Sequence, residues 1–417
     1  MNASRRSRWA LAAIAVAGIV TIAGCGSHAI AGNRIAGTRL TIYASLPFRG
    51  ASRISGAAVL GGAELALDAV HGRVGKYHIV FRALDDATVQ RGGWDPGQTT
   101  ANARLAAQNK TTIGYIGEFN SGASAVSIPL LNRAEIPQIS PSSTAVGLTV
   151  GGPEASPGEP QKYYPTGRRT FARVVPNDAV QAAVQARLQR EQGCRKTYVL
   201  DDGEVDGMDM AFSFAVAAKT AGLHVVGVEP FNPKATDYSS LAKSVAQTGA
   251  DCVLISALTE ENAVLVTEQI ARALPDAQLF ASGGAAESTY TDPDDGGIPL
   301  ALDPRILITV ATLDPSAYPP AGRRFFALYA KRYGSPQPYA IFGYEAMSLM
   351  LNAISRATDH GTAPAIRSKV VRAIFATHDR HSVLGTYSID RNGDTTLDRY
   401  GVYRVHDGQL SFWKAMG

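Results

Sequence analysis

Residues 112–144 read TIGYIGEFNSGASAVSIPLLNRAEIPQISPSST. TIGYI (112–116) and IPQIS (136–140) are short β-rich runs, and residues 122–133 between them carry a helical pattern. Strand, helix and strand in this order form the repeating unit of a parallel sheet. The first strand runs into Gly117-Glu118-Phe119-Asn120-Ser121-Gly122-Ala123-Ser124, which opens the helix, and the second runs into Pro141-Ser142-Ser143-Thr144. In open α/β sheets, ligands bind beyond the carboxyl ends of the strands. A helix N-terminus there presents free backbone N–H groups and a partial positive charge, and hydroxyls add neutral donors. This chemistry suits a carboxylate without a buried arginine. Ser121, Ser143 and Thr144 are therefore candidate ligand-binding residues; helix capping explains the same hydroxyls equally well.

The same alternation extends outward. Upstream lie strands LTIYA (40–44) and HIVFRAL (78–84), with helices near 55–71 and 97–109. In the first helix Ala58, Gly62, Leu65, Ala66 and Ala69 repeat at helical spacing and make one apolar face. Downstream the series restarts with strands TYVL (197–200), HVVGV (224–228), CVLIS (252–256), QLFAS (278–282) and ILITVA (306–311). Helices near 178–191, 207–221, 238–248 and 260–273 separate them, the first capped by Asn177 or Asp178. Two such series predict an α/β protein of two lobes, each a parallel sheet covered on both faces. The Gly- and Pro-rich stretch 150–169 reads as a surface loop near their boundary. Helices near 320–333, 339–357 and 364–377 follow, then a β-rich tail of GTYSID (385–390), a turn at RNGD, YGVYRV (400–405) and LSFWK (410–414).

Composition excludes several classes. The net charge of +4 includes Arg5, Arg6 and Arg8, so the rest of the chain is near +1 (4 minus 3), too weak for a nucleic-acid footprint. Those arginines precede the short apolar run WALAAIAVAGIVTIA (9–23) and then Gly24-Cys25. This is the layout of a secretory signal. The Ile22-Ala23-Gly24-Cys25 junction resembles the bacterial lipobox. Residues 1–24 are thus expected to be a lipoprotein signal peptide, Cys25 the lipidated N-terminus, and residues 25–38 a flexible tether. A plain secretory peptide with a chance cysteine is the alternative, and Ser4-Arg5-Arg6 is also compatible with twin-arginine export. Outside the cytoplasm Cys194 and Cys252 can form a disulfide; two buried free thiols are the other reading.

Catalytic motifs are missing. The chain has no phosphate-binding G-x-x-x-x-G-K-[ST] loop, no strand-linked G-x-G-x-x-G and no G-x-S-x-G elbow. Ser240-Leu241-Ala242-Lys243 fits S-x-x-K but lies in an amphipathic helical pattern without its S-D-N and K-T-G partners. His378-Asp379-Arg380-His381 reads as a solvated loop, and Asp390-Arg391-Asn392-Gly393-Asp394 as a β-turn, since no glutamate closes a calcium loop. Asp85-Asp86 at a strand end is an acid pair or a loop-orienting pair. No metal, cofactor or catalytic residue is expected.

The order and spacing of several pieces resemble the type I periplasmic binding proteins, specifically the leucine/isoleucine/valine-binding family of ABC-transporter receptors. They are G-A-x-L-A-x-D-A-V (62–70), L-D-D-A (84–87), Y-I-G-x-x-x-S (115–121), I-P-x-I-S-P-S-S-T (136–144) and F-x-R-V-V-P-N-D (171–178). T-D-Y-S-S (236–240), G-A-D-C-V (249–253), Y-A-x-x-G-Y-E-A (339–346) and D-x-N-G-D (390–394) continue the match along nearly the whole mature chain.

The resemblance implies two lobes joined by three hinge crossovers, of residues 39–173 with 311–388 and residues 174–310 with 389–417. It implies that Ser121, Ser143 and Thr144 hold a ligand carboxylate. Family members that read an α-ammonium carry an acid after the strand matching QLFAS; here Gly283-Gly284-Ala285 stands there, with Glu287 displaced. Asp206 replaces the usual aromatic before Gly207 and is a candidate ammonium partner. Leu258 stands where an aromatic is common, followed by Glu260 and Glu261. Glu260, and Phe342 within the Y-A-x-x-G-Y-E-A stretch, complete the candidate ligand set. The expected function is capture of a small polar, amino-acid-like ligand at the outer face of the membrane for ABC permease and ATPase subunits. A sensor that passes its closed state to a membrane signalling partner is the alternative, and a lipid-anchored enzyme a third reading that the missing motifs disfavour.

Overall fold

The computed structural model describes residues 33–417. The signal segment 1–24, Cys25 and most of the tether lie outside the described residues. The first sheet has six strands in the order Arg73–Val74, Tyr77–Asp85, Arg39–Leu46, Thr112–Ile116, Gln138–Ser140, Phe171–Arg173. All pair in parallel except the short first one. On the central strand Leu40, Ile42, Ala44 and Leu46 are buried on one face and Thr41, Tyr43 and Ser45 on the other, as expected of a strand covered on both faces. The second sheet runs His224–Pro230, Lys196–Asp201, Cys252–Ser256, Gln278–Ala281, Ile306–Val310, Tyr400–His406, Gln409–Met416. Its first five strands are parallel and its last two antiparallel. Only the two residues Asp407-Gly408 separate the last pair, a connection too short for anything but an antiparallel hairpin.

Helix Arg53–Asp68 packs on helix Ala340–Ala357 from the far end of the chain. Their backbones nearly touch: a Cβ on Gly62 would lie 2.0 Å from the Ala340 carbonyl oxygen, and one on Gly343 2.1 Å from that of Val59. The small residues at helical spacing in 58–69 serve this close approach.

The chain passes between the two lobes three times: from Arg173 into helix Asp178–Glu191, from Val310 into helix Pro320–Tyr333, and from a small two-stranded sheet ending at Tyr387 into strand Tyr400–His406. Arg173, with 0% exposure, ties two of these passages together. Its Nε donates to Asp394 Oδ1 (2.6 Å) and its Nη1 to the carbonyls of Ser143 (3.0 Å) and Ala145 (2.8 Å). The D-R-N-G-D stretch is a turn in which Asp390 Oδ1 accepts from the N–H groups of Asn392, Gly393 and Asp394. It thereby delivers Asp394 to the arginine.

Several local expectations need correction. The tether is shorter than 25–38, because Ile35 is buried and its N–H donates to Ala365 O at 2.9 Å. The 150–169 loop lies near the boundary, as expected, just before Phe171–Arg173, a strand too short for the sequence pattern to reveal. Tyr163 and Tyr164 bury themselves under it. In the tail, strand structure within 385–390 is confined to Thr386–Tyr387. The disulfide expected of Cys194 and Cys252 does form: it joins the residue two before strand Lys196–Asp201 to the first residue of the neighbouring parallel strand, with a Cα separation of 5.8 Å.

Candidate ligand-binding cleft

The carboxyl ends of the two sheets face each other across a cleft. On the first-lobe side, the loop after Thr112–Ile116 and the loop after Gln138–Ser140 are bound together by serine hydroxyls. Ser140 Oγ and Ser143 Oγ donate to Glu118 O (2.8 and 3.1 Å), and Ser142 Oγ donates to Phe119 O (2.8 Å). These bonds satisfy carbonyls that a buried loop otherwise leaves unpaired. Two hydroxyls are turned the other way. Ser121 Oγ donates across the cleft to Asp206 Oδ1 at 3.2 Å, and Thr144 Oγ1 donates to the same oxygen at 3.0 Å. The backbone N–H groups of Thr144 and Ala145 in turn donate to Ser121 Oγ.

The second-lobe side is acidic. Asp206 lies in the first turn of helix Val205–Ala221. Asp202, at the preceding strand end, accepts from the N–H of Leu258 (2.7 Å) and of Glu204 (2.9 Å). Asp209 Oδ2 accepts from Gly147 N–H of the opposite lobe at 2.8 Å. Glu287 Oε2 accepts from Ser55 Oγ, also of the opposite lobe, at 2.9 Å. Burial raises the pKa of Asp206 and pushes Glu287 up to about 8 and Asp209 up to about 7. Burial, then the neighbouring Asp206 and Asp209 charges, hold Asp178 well above the usual carboxylate range. Removing charge from water disfavours ionisation, and like charges add to the effect.

Between the walls is a cavity of about 30 Å³. Phe119, Asn120, Ser142 and Thr144 line it from one lobe, and Gln181, Asp206, Leu258, Gly283, Gly284 and Glu287 from the other. Tyr339 closes one end. Its ring meets Phe119 edge-on, with centroids 5.5 Å apart. Such a volume holds roughly two water molecules, so any larger ligand requires the lobes to part. Gly283 is needed for closure: a Cβ there would lie 2.7 Å from the Tyr339 hydroxyl. A side chain at this position would have to displace the Tyr339 hydroxyl. Around the rim, Arg91 Nη2 bridges Glu204 Oε1 (3.0 Å) and Glu261 Oε1 (3.1 Å), and Arg53 pairs with Asp295 (2.9 Å), each linking one lobe to the other.

The structure therefore brings Ser121, Thr144 and Asp206 together and separates the other three candidates from them. Ser143 is fully buried beneath the wall, its hydroxyl shared with Ser124 and the loop carbonyls, so it braces the wall rather than lining the cavity. Phe342 is in the core, 2% exposed, behind Tyr339 at 6.1 Å between centroids. The cavity is lined instead by Tyr339, the first residue of the same motif. Glu260 lies at the cleft mouth beside Gly50 and Arg53 rather than at the central cavity, with both carboxylate oxygens buried and unpartnered. Phe119, Asn120 and Gln181 also line the cavity; the first two sit in the strand-end loop quoted above, while nothing in the pattern of helix 178–191 marks Gln181. Asp85 proves to orient loops, accepting from the N–H groups of Phe48 and Ala87 at 3.0 Å.

A family model described as "Periplasmic binding protein" matches residues 40–409. An "Amino acid binding protein" of Pseudomonas aeruginosa is 21% identical over 398 residues, covering 93% of this chain and 94% of its own. Among solved structures, the leucine-binding protein LivK of Thermotoga maritima is similar with a TM-score of 0.75 at 22% identity, covering 90% of this chain and 98% of that one. A solute-binding protein of an ABC transporter from Rhodopseudomonas palustris, in complex with p-hydroxybenzoic acid, is similar with a TM-score of 0.72 at 16% identity, covering 91% and 97%. With the two-lobed α/β architecture and the cleft between facing sheet ends, the match over most of the chain places the protein: it belongs to the periplasmic binding protein family and is a binding protein, not an enzyme.

Proposed function

We propose that this protein is an extracytoplasmic receptor, held at the outer face of the cell membrane by lipid on Cys25, that encloses a small polar, amino-acid-like ligand and passes it to the permease and ATPase subunits of an ABC importer. The observation that carries the reading is the meeting of Ser121 and Thr144 from one lobe with Asp206 from the other. Residues on opposite walls touch only when the lobes are together, so a ligand bound between them favours closure. The bodies that move are residues 39–173 with 311–388 and residues 174–310 with 389–417. Among the described residues no helix is long and apolar enough to cross a membrane; the anchor in this reading rests on the Ile22-Ala23-Gly24-Cys25 junction.

A thermal-shift screen of the mature protein against amino acids, amines and small carboxylic acids tests the reading, because a ligand at about 100 times its Kd adds about 2.7 kcal/mol of apparent stability. A hit is expected to compact the protein in small-angle scattering. A saturating hit without compaction removes the hinged-cleft mechanism. Mass spectrometry of the native N-terminus is expected to find an acylated Cys25, and an unmodified N-terminus at another position removes the anchor.

A further inference from the structure

The charge balance of the cavity names the ligand class more narrowly than the reading above, on which it rests. Two carboxylates, Asp206 and Glu287, line the cavity, and no lysine, arginine or histidine does. The buried arginine nearest in the chain to the Ser142–Thr144 wall by hydrogen bonding, Arg173, is turned away to Asp394 and to backbone carbonyls. Arg91 and Arg53 sit on the rim with acidic partners of their own.

Three further observations point to what the carboxylates face. Asn120, only 5% exposed, lines the cavity with its Oδ1 unpartnered, an acceptor that asks for an N–H donor. Phe119 and Tyr339 present aromatic surface at the same place, the kind of surface that attracts a cation. Finally, the hydroxyls that would receive a ligand carboxylate are already engaged. Ser121 and Thr144 both donate to Asp206 Oδ1, while Asp206 Oδ2 accepts no hydrogen bond from the described residues. The protein supplies from its own chain the anion that this hydroxyl seat accepts.

We infer that the cleft selects an organic cation, an amine of about the size of a decarboxylated amino acid, whose ammonium group sits among Asp206, Glu287 and the Asn120 side-chain oxygen. A carboxylate on the ligand competes with Asp206 for Ser121 and Thr144 and adds a further acid to a cavity that already holds Asp206 and Glu287 and no cation. It therefore weakens binding.

The test uses matched probes on the mature protein: L-leucine, 3-methylbutylamine and isovalerate; L-lysine and cadaverine; L-arginine and agmatine. Isothermal titration is expected to show at least one amine binding about tenfold or more tighter than its parent amino acid, the size of one lost charged hydrogen bond, and no binding of isovalerate. An amino acid or isovalerate binding as tightly as the matched amine overturns the inference and leaves the receptor reading intact. Silence from all the probes overturns the inference, and the wider ligand screen then decides the receptor reading. Asp206→Asn is expected to weaken the best amine about tenfold to a hundredfold and to shrink its advantage over the amino acid. Glu287→Gln carries the same expectation through a second carboxylate on a different loop. Unchanged preference in both variants overturns the assignment.

Discussion

The first-lobe wall of the cleft is built from hydroxyls and amides, most of which are used up in holding two loops together: Ser140, Ser142 and Ser143 all donate to carbonyls of residues 118–120. The second-lobe wall is built from carboxylates on two helices and two loops, Asp178, Asp202, Asp206, Asp209 and Glu287, all with raised pKa. Within the first wall these serines satisfy one another's loops, leaving the Asn120 side-chain oxygen open to the cavity. The second carries unbalanced charge whose burial on closure is unfavourable unless a proton or a cation balances it. On the proposed reading, a neutral wall and an acidic one divide the work: the first sets where a ligand sits, and the second what charge it brings.

The comparison breaks most severely if the walls cannot meet. Gly283→Val places side-chain atoms against the Tyr339 hydroxyl, and overpacking of that kind costs about 1–3 kcal/mol, so affinity for the best-bound amine is expected to fall up to about a hundredfold. Titration reads the loss, and scattering reads the failure to compact. Wild-type affinity in this variant means that closure does not bring Gly283 onto Tyr339.

Thr144→Val tests the neutral wall. It removes one of two hydroxyls that hold Asp206 Oδ1, and about a tenfold loss of amine affinity is expected. Retained affinity reduces Thr144 to a loop residue. At the rim, Arg91→Ala deletes two ion pairs between the lobes. Such partly exposed pairs contribute little, so a change of about two- to fivefold is expected, visible mainly as faster ligand release.

A smaller effect separates the walls by pH. Burial pushes Glu287 up to about 8 and Glu118, in the loop after Thr112–Ile116, up to about 7. The unfolded chain releases such protons near pH 4.3. The folded state therefore holds protons that the unfolded state has lost. The stability these groups contribute is fully present below that pH and is lost as pH rises through about 7–8. Thermal melts of the ligand-free protein are expected to give a higher Tm at about pH 5.5 than at about pH 8, by a few degrees. Glu118→Gln is expected to flatten that dependence, and an amine probe to offset it, since a bound cation replaces the missing protons. A Tm that rises from about pH 5.5 to about pH 8 contradicts the account.

How much of this was legible in the sequence differs by element. Strands Thr112–Ile116 and Cys252–Ser256 and helices Asp178–Glu191 and Pro320–Tyr333 run as their apolar runs and periodicities indicate. Phe171–Arg173 did not stand out, because three residues are too few for any period. Within the site, Ser121 and Thr144 announced themselves by following strand ends. Tyr339 did not: it is the residue before helix Ala340–Ala357, held at φ +72°, and that backbone turn carries its ring away from the helix face and into the cleft. The same helix turns Phe342 into the core, where a sequence motif alone cannot tell it from a ligand contact. Glu260 follows the strand end closely, yet a short turn over Thr259–Glu261 leaves it at the mouth.

The sequence by itself determined the alternation of strands and helices, the two series and the acidic and hydroxyl residues at their ends, because periodicity and composition are local properties of the chain. The tertiary structure alone decided which of those residues share a cavity. Asp206 and Thr144 are 62 positions apart, and Glu287 and Ser55 are 232 apart. Their meeting depends on how two separately folded sheets are set by three crossovers, where Arg173 and Asp394 close the hinge side. No local pattern encodes that geometry, since it arises from packing between surfaces distant in the chain.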